Sequence, residues 1–205
     1  MTMFNRIELI QLQPDLATAE REQLLQTLQH TAIPGADCLL QSTLPGVYNG
    51  GDYLLKQRCE VELPVSAAAE MVLSDPRLVA RVDRAAYHDG EEGGAWNGRG
   101  IYRALLLSVL PSASAVAVAR FEREVLAMPR YIRSIRAWRL SRVSQASGAR
   151  CWTHVWEQRY DEVQGLSGPY MLHPYHWAQV DRWFDPESPD WIVDTHLCHS
   201  FCAFD

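Results

Sequence analysis

The sequence lacks the glycine- and serine-centred motifs of common cofactor and hydrolase sites. It has no P-loop, no G-x-G-x-x-G opening a helix and no G-x-S-x-G elbow. Nothing therefore offers to cradle a phosphate-bearing cofactor or to present an activated serine. It also lacks a basic excess: 19 Lys and Arg stand against 25 Asp and Glu, a formal charge of −6. A nucleic-acid surface is not expected from that balance. No uncharged run is long enough for a bilayer. The longest, between Arg103 and Arg120, is interrupted by Ser108, Pro111, Ser112 and Ser114 and falls short of the roughly 20 apolar residues a span needs. Met1–Glu8 shows no basic segment followed by an apolar one, so no secretory leader is expected. The five cysteines (Cys38, Cys59, Cys151, Cys198, Cys202) are odd in number and irregularly spaced. A disulfide framework is not expected, and a reduced, cytoplasmic protein is the simplest reading.

What is present fits a globular chain able to bury a real core. Hydrophobic residues make up 47% of the 205, with seven Trp and eight Tyr, a composition suited to aromatic-lined cavities. The chain also echoes itself. Leu73–Arg84 aligns with Met171–Arg182 without a gap at an offset of 98, sharing Pro, Ala, Val, Asp and Arg. Three further anchors follow in the same order: Arg6–Pro14 with Arg103–Pro111, Ala32-Ile33-Pro34 with Ala127-Met128-Pro129, and Gln57-Arg58 with Gln158-Arg159. Such a period is too long for a solenoid, so each copy should be a small domain-like unit, residues 1–98 and 99–205.

Each copy reads as strand, helix, two strands, helix. In the first, Arg6–Leu12 predicts a strand, Asp15 an N-cap, and Leu16–His30 a helix with Leu16, Leu24, Leu25 and Leu28 on one face. Pro34-Gly35 breaks the chain before strands over Cys38–Thr43 and Asp52–Val61. A second helix is expected from Ala67, past Asp75-Pro76, to about Tyr87, then a glycine-rich loop over 88–100. The second copy predicts strands over Ile101–Leu110, Ile132–Arg139, Cys151–Tyr160 and Thr195–Phe204, with helices near Ser112–Ala127 and Tyr170–Phe184. The fold class is α+β: two ferredoxin-like βαββαβ repeats, packed sheet to sheet as an intramolecular alpha-beta barrel with a cavity inside. The closing strand of the first repeat has little room. Ile101–Leu110 could take its place, or a short strand near Ala95–Asn97.

Tyr170-Met171-Leu172-His173-Pro174-Tyr175-His176, placed after a strand ending in Pro, a helix and an extended segment, resembles the dimeric alpha-beta barrel, or stress-responsive A/B barrel, family. In the first copy Val72, Asp75 and Leu78 stand where Tyr170, His173 and His176 stand in the second, so the first looks like a half that kept shape and lost polar equipment. The family includes polyketide cyclases, a hydroxynitrile lyase and stress proteins. The resemblance implies an acid/base pair at Tyr170 and His176 and a further pocket histidine at His154. A first-strand histidine of the cyclases falls on Arg103, a fixed cation rather than a proton shuttle.

The residues support that chemistry on their own terms. Tyr170, His173 and Trp177 share a helix face, and a bend at Pro174 could bring His176 beside Tyr170. By alternation Trp152, His154 and Trp156 share one strand face, read as the barrel wall, with Val155 under the helices. A histidine can take and return a proton near neutrality, and Arg103 can hold a carboxylate or an enolate. The expected function is cofactor-independent His/Tyr acid-base catalysis on a small carbonyl or polyketide-like metabolite. The catalytic candidates are His176, Tyr170 and His154; the binding candidates are Arg103, His173, Trp152, Trp156 and Trp177. The competing class is a non-catalytic small-molecule binder. Blander readings stand beside these: His173 as a brace before Pro174, His176 on the surface. The His/Cys-rich tail His196–Cys202 lacks the spacing of a zinc knuckle, so no metal is expected. The expected partners are a small molecule and, optionally, a second copy of the chain in a homodimer, with neither nucleic acid nor membrane.

Overall fold

The computed structural model describes residues 3–31, 36–61 and 66–204. Strand β1 (Phe4–Leu12) is covered on both faces: Ile7 and Leu9 enter one core cluster, Ile10 and Leu12 another. Helix α1 (Thr18–His30) starts from Ala17 rather than Asp15, and buries Leu24 and Leu28 one turn apart. Strands β2 (Asp37–Ser42) and β3 (Tyr53–Cys59) follow, then a short helix α2 (Ala67–Leu73) and strand β4 (Val79–His88). After the added strand β5 (Glu91–Gly94), the second half runs through β6 (Gly100–Leu107), helix α3 (Ala115–Tyr131), β7 (Ala137–Ser147) and β8 (His154–Tyr160). Ser114 caps α3 by accepting from the Ala117 amide at 3.1 Å, and Phe121, Val125 and Met128 form its buried stripe. A broken helical stretch begins with α4 (Val163–Gly165) and ends at Trp183; β9 (Cys198–Phe204) closes the chain.

The strands form one antiparallel sheet in the order β2-β3-β1-β4-β7-β8-β6-β9, with β5 beside β7. Each half places its third strand against its first and its first against its fourth, the ferredoxin-like order. The register also matches: Arg6 faces Gln57 in one half, and Arg103 faces Gln158 in the other. The halves join where Arg84–Tyr87 of β4 pairs with Val143–Ser147 of β7. The far edge of β9 meets the stretch after β2 through bridges Thr43–Cys202 and Tyr48–His199. The product is an α+β fold with a nearly closed, barrel-shaped sheet.

Three expectations are corrected here. The second helix of the first half ends at Leu73, and Val79–His88 is the missing closing strand. Ladder pairing of nine residues along β1 outweighs the helical propensity of its Ala and Arg residues. Leu73–Arg84 and Met171–Arg182, the longest sequence match, are therefore not structurally equivalent: Asp83 sits on a strand and Asp181 opens a helical turn. The loop expected over 88–100 contains β5. The Ala32-Ile33-Pro34 anchor and the Pro34-Gly35 break lie outside the described residues.

The middle of the barrel is packed, and a pocket of about 430 Å³ lined by Lys56, Arg58, Tyr102 and Arg139 opens at one end of its interior face. Ile7, Leu9 and Leu54 meet Tyr102, Leu106 and Val155 from the other half. Among them lies a polar cluster, where the fully buried Glu157 carboxylate accepts from Lys56, from Tyr102 Oη at 2.8 Å and from Arg139 at 3.4 Å. Outside the barrel, α1 and α2 cover the first half and α3 the second. Each large side chain so buried stabilises by about 1.5–3 kcal/mol. Among the described residues no helix is long and apolar enough to cross a membrane.

Candidate functional site

The layer between the second half's sheet and its broken helical stretch is not filled. A cavity of about 260 Å³ opens there, walled by Leu105, Leu107, Val125, Met128 and Trp156. Arg103, Tyr170, His176, Asp181 and His199 supply its polar groups, and Tyr48 reaches it from the first half. Arg103, Tyr170 and His176 thus line a cavity outside the barrel, whereas the pocket on the barrel's interior face holds none of the expected site residues. Strand alternation sends Arg103, Leu105 and Leu107 toward α3, and with them Trp156; Val155 goes to the interior, the reverse of the sequence reading.

The helical stretch shapes the site because it is not a regular helix. Leu166–Tyr170 and His176–Val180 are wider π-type turns, with Pro169 in the first and Pro174 between them. That winding brings residues six apart into contact: the Tyr170 and His176 rings lie 4.6 Å between centroids at an angle of 62°. Asp181 places Oδ1 3.4 Å from His176 Nδ1. The contact is an ion-pair approach without a hydrogen bond, and Nδ1 is buried without a hydrogen-bond partner among the described residues. Trp156 Nε1 is in the same condition.

Arg103 is the charged element of the wall and is 5% exposed. Its Nε donates to His199 Nε2 at 2.7 Å, and its Nη1 donates to Gln158 Oε1 and to Tyr170 Oη, the latter at 3.3 Å. The guanidinium carbon sits 5.1 Å from the Tyr170 ring centroid. Burial, reinforced by the Arg103 cation, pushes His199 down to about 3, so the imidazole is a neutral acceptor. Tyr160 Oη also donates to Gln158 Oε1, at 2.8 Å. None of the three residues that receive the guanidinium is a carboxylate.

The remaining candidates go elsewhere. His154 is buried on the same face of β8 as Trp156 but does not line the cavity. Its Nε2 lies 3.0 Å from Glu122 on α3 and its Nδ1 2.8 Å from the Thr153 hydroxyl. Burial, opposed by Glu122, holds its pKa below the ordinary histidine range. His173 accepts the Tyr175 amide on Nδ1 at 3.1 Å, a brace within the turn. Trp177 is 59% exposed and lines nothing, because the π-type turns rotate it outward. Trp152 precedes β8, escapes its alternation, and packs in the barrel core, stacked on His196. In the tail, burial pushes Cys198 and Cys202 up to about 12, so both are protonated core thiols rather than ligands or nucleophiles. Sequence reasoning missed His199, Gln158 and Asp181. The repeated pairing of Arg6 with Gln57 and Arg103 with Gln158 was the available signal for the glutamine.

Residues 101–194 match the family model described as Stress responsive A/B Barrel Domain. No curated protein matches the chain. Among solved structures, an anthrone oxidase-like protein superposes with a TM-score of 0.67 at 9% identity, over 100% of this chain and 92% of that one. Chlorite dismutase from Candidatus Nitrospira defluvii gives 0.58 at 7% identity, over 98% and 90%. A putative monooxygenase from Lactobacillus acidophilus gives 0.53 at 10%, over 100% of both chains. At such identities the likeness is one of fold. The likeness to the stress-responsive A/B barrel domain lies in the second half of the chain, over residues 101–194.

Proposed function

We propose that the protein is a cofactor-independent enzyme that moves a proton at the carbon next to a carbonyl, with His176 as base and Tyr170 as acid. The observation that carries this is the contact between the Tyr170 and His176 rings on the wall of an apolar cavity. His176 takes the proton from carbon, and the carbonyl oxygen gathers the charge. Tyr170 donates a hydrogen bond to that oxygen. Its hydroxyl already accepts from Arg103, which polarises its O–H bond. The Asp181 carboxylate near Nδ1 favours the imidazolium that forms. Return of the proton to the same or another atom completes isomerisation, cyclisation or cleavage. The same carbanion is the species that an oxygenation would require. Nearness of base and acid to the reacting carbon supplies about 10²–10⁴ in rate.

We read the two halves as diverged copies, with the matching strand order and the two Arg–Gln pairs as support. The acid, the base and the cation of the site belong to the second copy, and the first adds Tyr48 to the cavity wall. The competing reading, a binder that only orients its ligand, is separated by one experiment. The protein is incubated in heavy water with butyrophenone and benzoylpropionate, and loss of the methylene signal beside the ketone is followed by proton NMR. Enzyme-dependent exchange that His176→Ala abolishes and Tyr170→Phe slows is the expected result. No exchange above the buffer rate with a ligand bound makes the protein a binder.

A further inference from the structure

Every cationic side chain of the barrel interior is met by a carboxylate: Lys56 and Arg139 by Glu157, and Arg58 by Asp89. Arg103 is different. It is buried, and no carboxylate lies within ion-pair distance of it among the described residues. Its counterpart in the first half shows what a self-sufficient arrangement looks like. Arg6 pairs with Gln57 as Arg103 pairs with Gln158, but two residues on stands Glu8, 4.0 Å from Arg6 Nε. At the matching place in the second half stands Leu105, part of the cavity wall. The second copy carries the cation and omits the anion, and it does so where a cavity has opened.

The guanidinium is also left with an unused edge. Nε and Nη1 are taken by His199, Gln158 and Tyr170, while Nη2 donates to no described group. Trp156 Nε1 and His176 Nδ1, both on the same cavity, are likewise without hydrogen-bond partners. A buried cation and two unsatisfied nitrogens around one apolar space are costly in the empty protein. A ligand that brings acceptor oxygens and a full negative charge removes that cost.

We infer that the cavity takes an anionic ligand, a carboxylate on a planar apolar body, with its oxygens on the open edge of Arg103 and its body against Trp156, Leu105 and Met128. This deepens the proposed reaction by naming the substrate as a keto acid, and rests on that reading only for the word substrate. A permanent carboxylate is favoured over a transient enolate because the cation needs compensation in the resting complex, before any proton moves. His199 is a positioning residue: as a neutral acceptor on Nε it turns the guanidinium so that Nη2 faces the cavity.

Calorimetric titration of the intact protein with benzoylpropionate and with its methyl ester tests this. The acid is expected to bind about 10- to 100-fold more tightly than the ester. Arg103→Met should bring the acid down to the ester's affinity and leave the ester unchanged; Arg103→Lys should keep part of the preference. Arg103→Met removes a buried unpaired charge for an apolar chain, so its melting temperature should hold or rise, which separates lost binding from lost folding. An ester that binds as well as the acid, a preference that survives Arg103→Met, or no saturable acid binding at millimolar concentration overturns the inference. Acid preference without hydrogen exchange leaves the anion site standing and sinks the enzyme. Exchange of butyrophenone without acid preference does the reverse.

Discussion

Glu157→Leu puts the energetics of the barrel interior to a direct test. Glu157 is fully buried and compensates Lys56 and Arg139 while accepting from Tyr102. Burial opposes its charge, but Lys56 and then Arg139 outweigh burial and hold the carboxyl below its ordinary range. For Lys56 the balance runs the other way: burial costs the ammonium more than Glu157 returns, and its pKa falls. The geometry decides what each removal does. Losing the carboxylate strands Lys56, whose ammonium has no other acid partner among the described residues; Arg139 keeps Asp89 and Glu92. Breaking a buried pair in this way costs about 3–5 kcal/mol, and for a chain of this size each 1 kcal/mol lowers the melting temperature by roughly 2–4 °C. A fall of roughly 6–20 °C is therefore expected in calorimetry. Lys56→Met in the same chain should restore most of it, because an apolar pair of similar volume avoids both desolvation penalties. A loss under about 1 kcal/mol from Glu157→Leu, or a double variant no better than the single one, refutes the reasoning.

Two shorter predictions follow. The His199 pKa is depressed to about 3 from an ordinary 6.5, so the unfolded chain binds a proton that the folded one refuses between those values. Stability should rise with pH across that window and not change further above it on this account. Urea midpoints for the native chain against His199→Gln should differ in their acid slope, and equal slopes would refute the assignment. Gly51 has φ near +76°, and a Cβ there would stand 2.8 Å from the Ile10 backbone. Gly51→Ala should cost about 1–3 kcal/mol through strain at the barrel seam; a change below about 0.5 kcal/mol in the urea midpoint refutes it.

The sequence was legible where local pattern and tertiary environment agree. The strands around Arg6–Leu12 and Cys38–Thr43 lie within about two residues of their observed bounds, because β-branched and leucine-rich runs meet breakers at both ends. It misled where long-range pairing decides. Val79–His88 has Ala and Arg in quantities that suit a helix, and only the ladder with β1 makes it a strand. The same cause reversed the faces of β8: alternation groups Trp156 with His154, but nothing local says which side the helices cover. Tyr170, His176 and Arg103, singled out by motif and chemistry, line one cavity, and Trp156 joins them from the face opposite to the expected one. Trp177 was lost to the π-type turns, whose widened winding a regular helical period does not anticipate.

Under the proposal that the halves are diverged copies, their asymmetry follows from what a fused pair permits. Strand register puts Lys56 and Glu157, one residue before Gln57 and Gln158, at matching places in the two halves. In a symmetric pair such positions would carry the same residue and oppose like charges; here they form an ion pair across the barrel. Once two copies share a chain they can differ, and three differences are visible. The interior charges became complementary at Lys56 and Glu157. The outer layer of the first half kept the glutamate that neutralises its arginine, while the second half has Leu105 there. The first half also lends the second its Tyr48, which meets His199 through reciprocal backbone hydrogen bonds of 2.9 and 2.8 Å. That contact ties the barrel seam to the residue that turns Arg103. Variants that loosen the seam should therefore weaken ligand binding before they unfold the chain, because the first half completes with Tyr48 the wall of a cavity whose charged groups lie in the second.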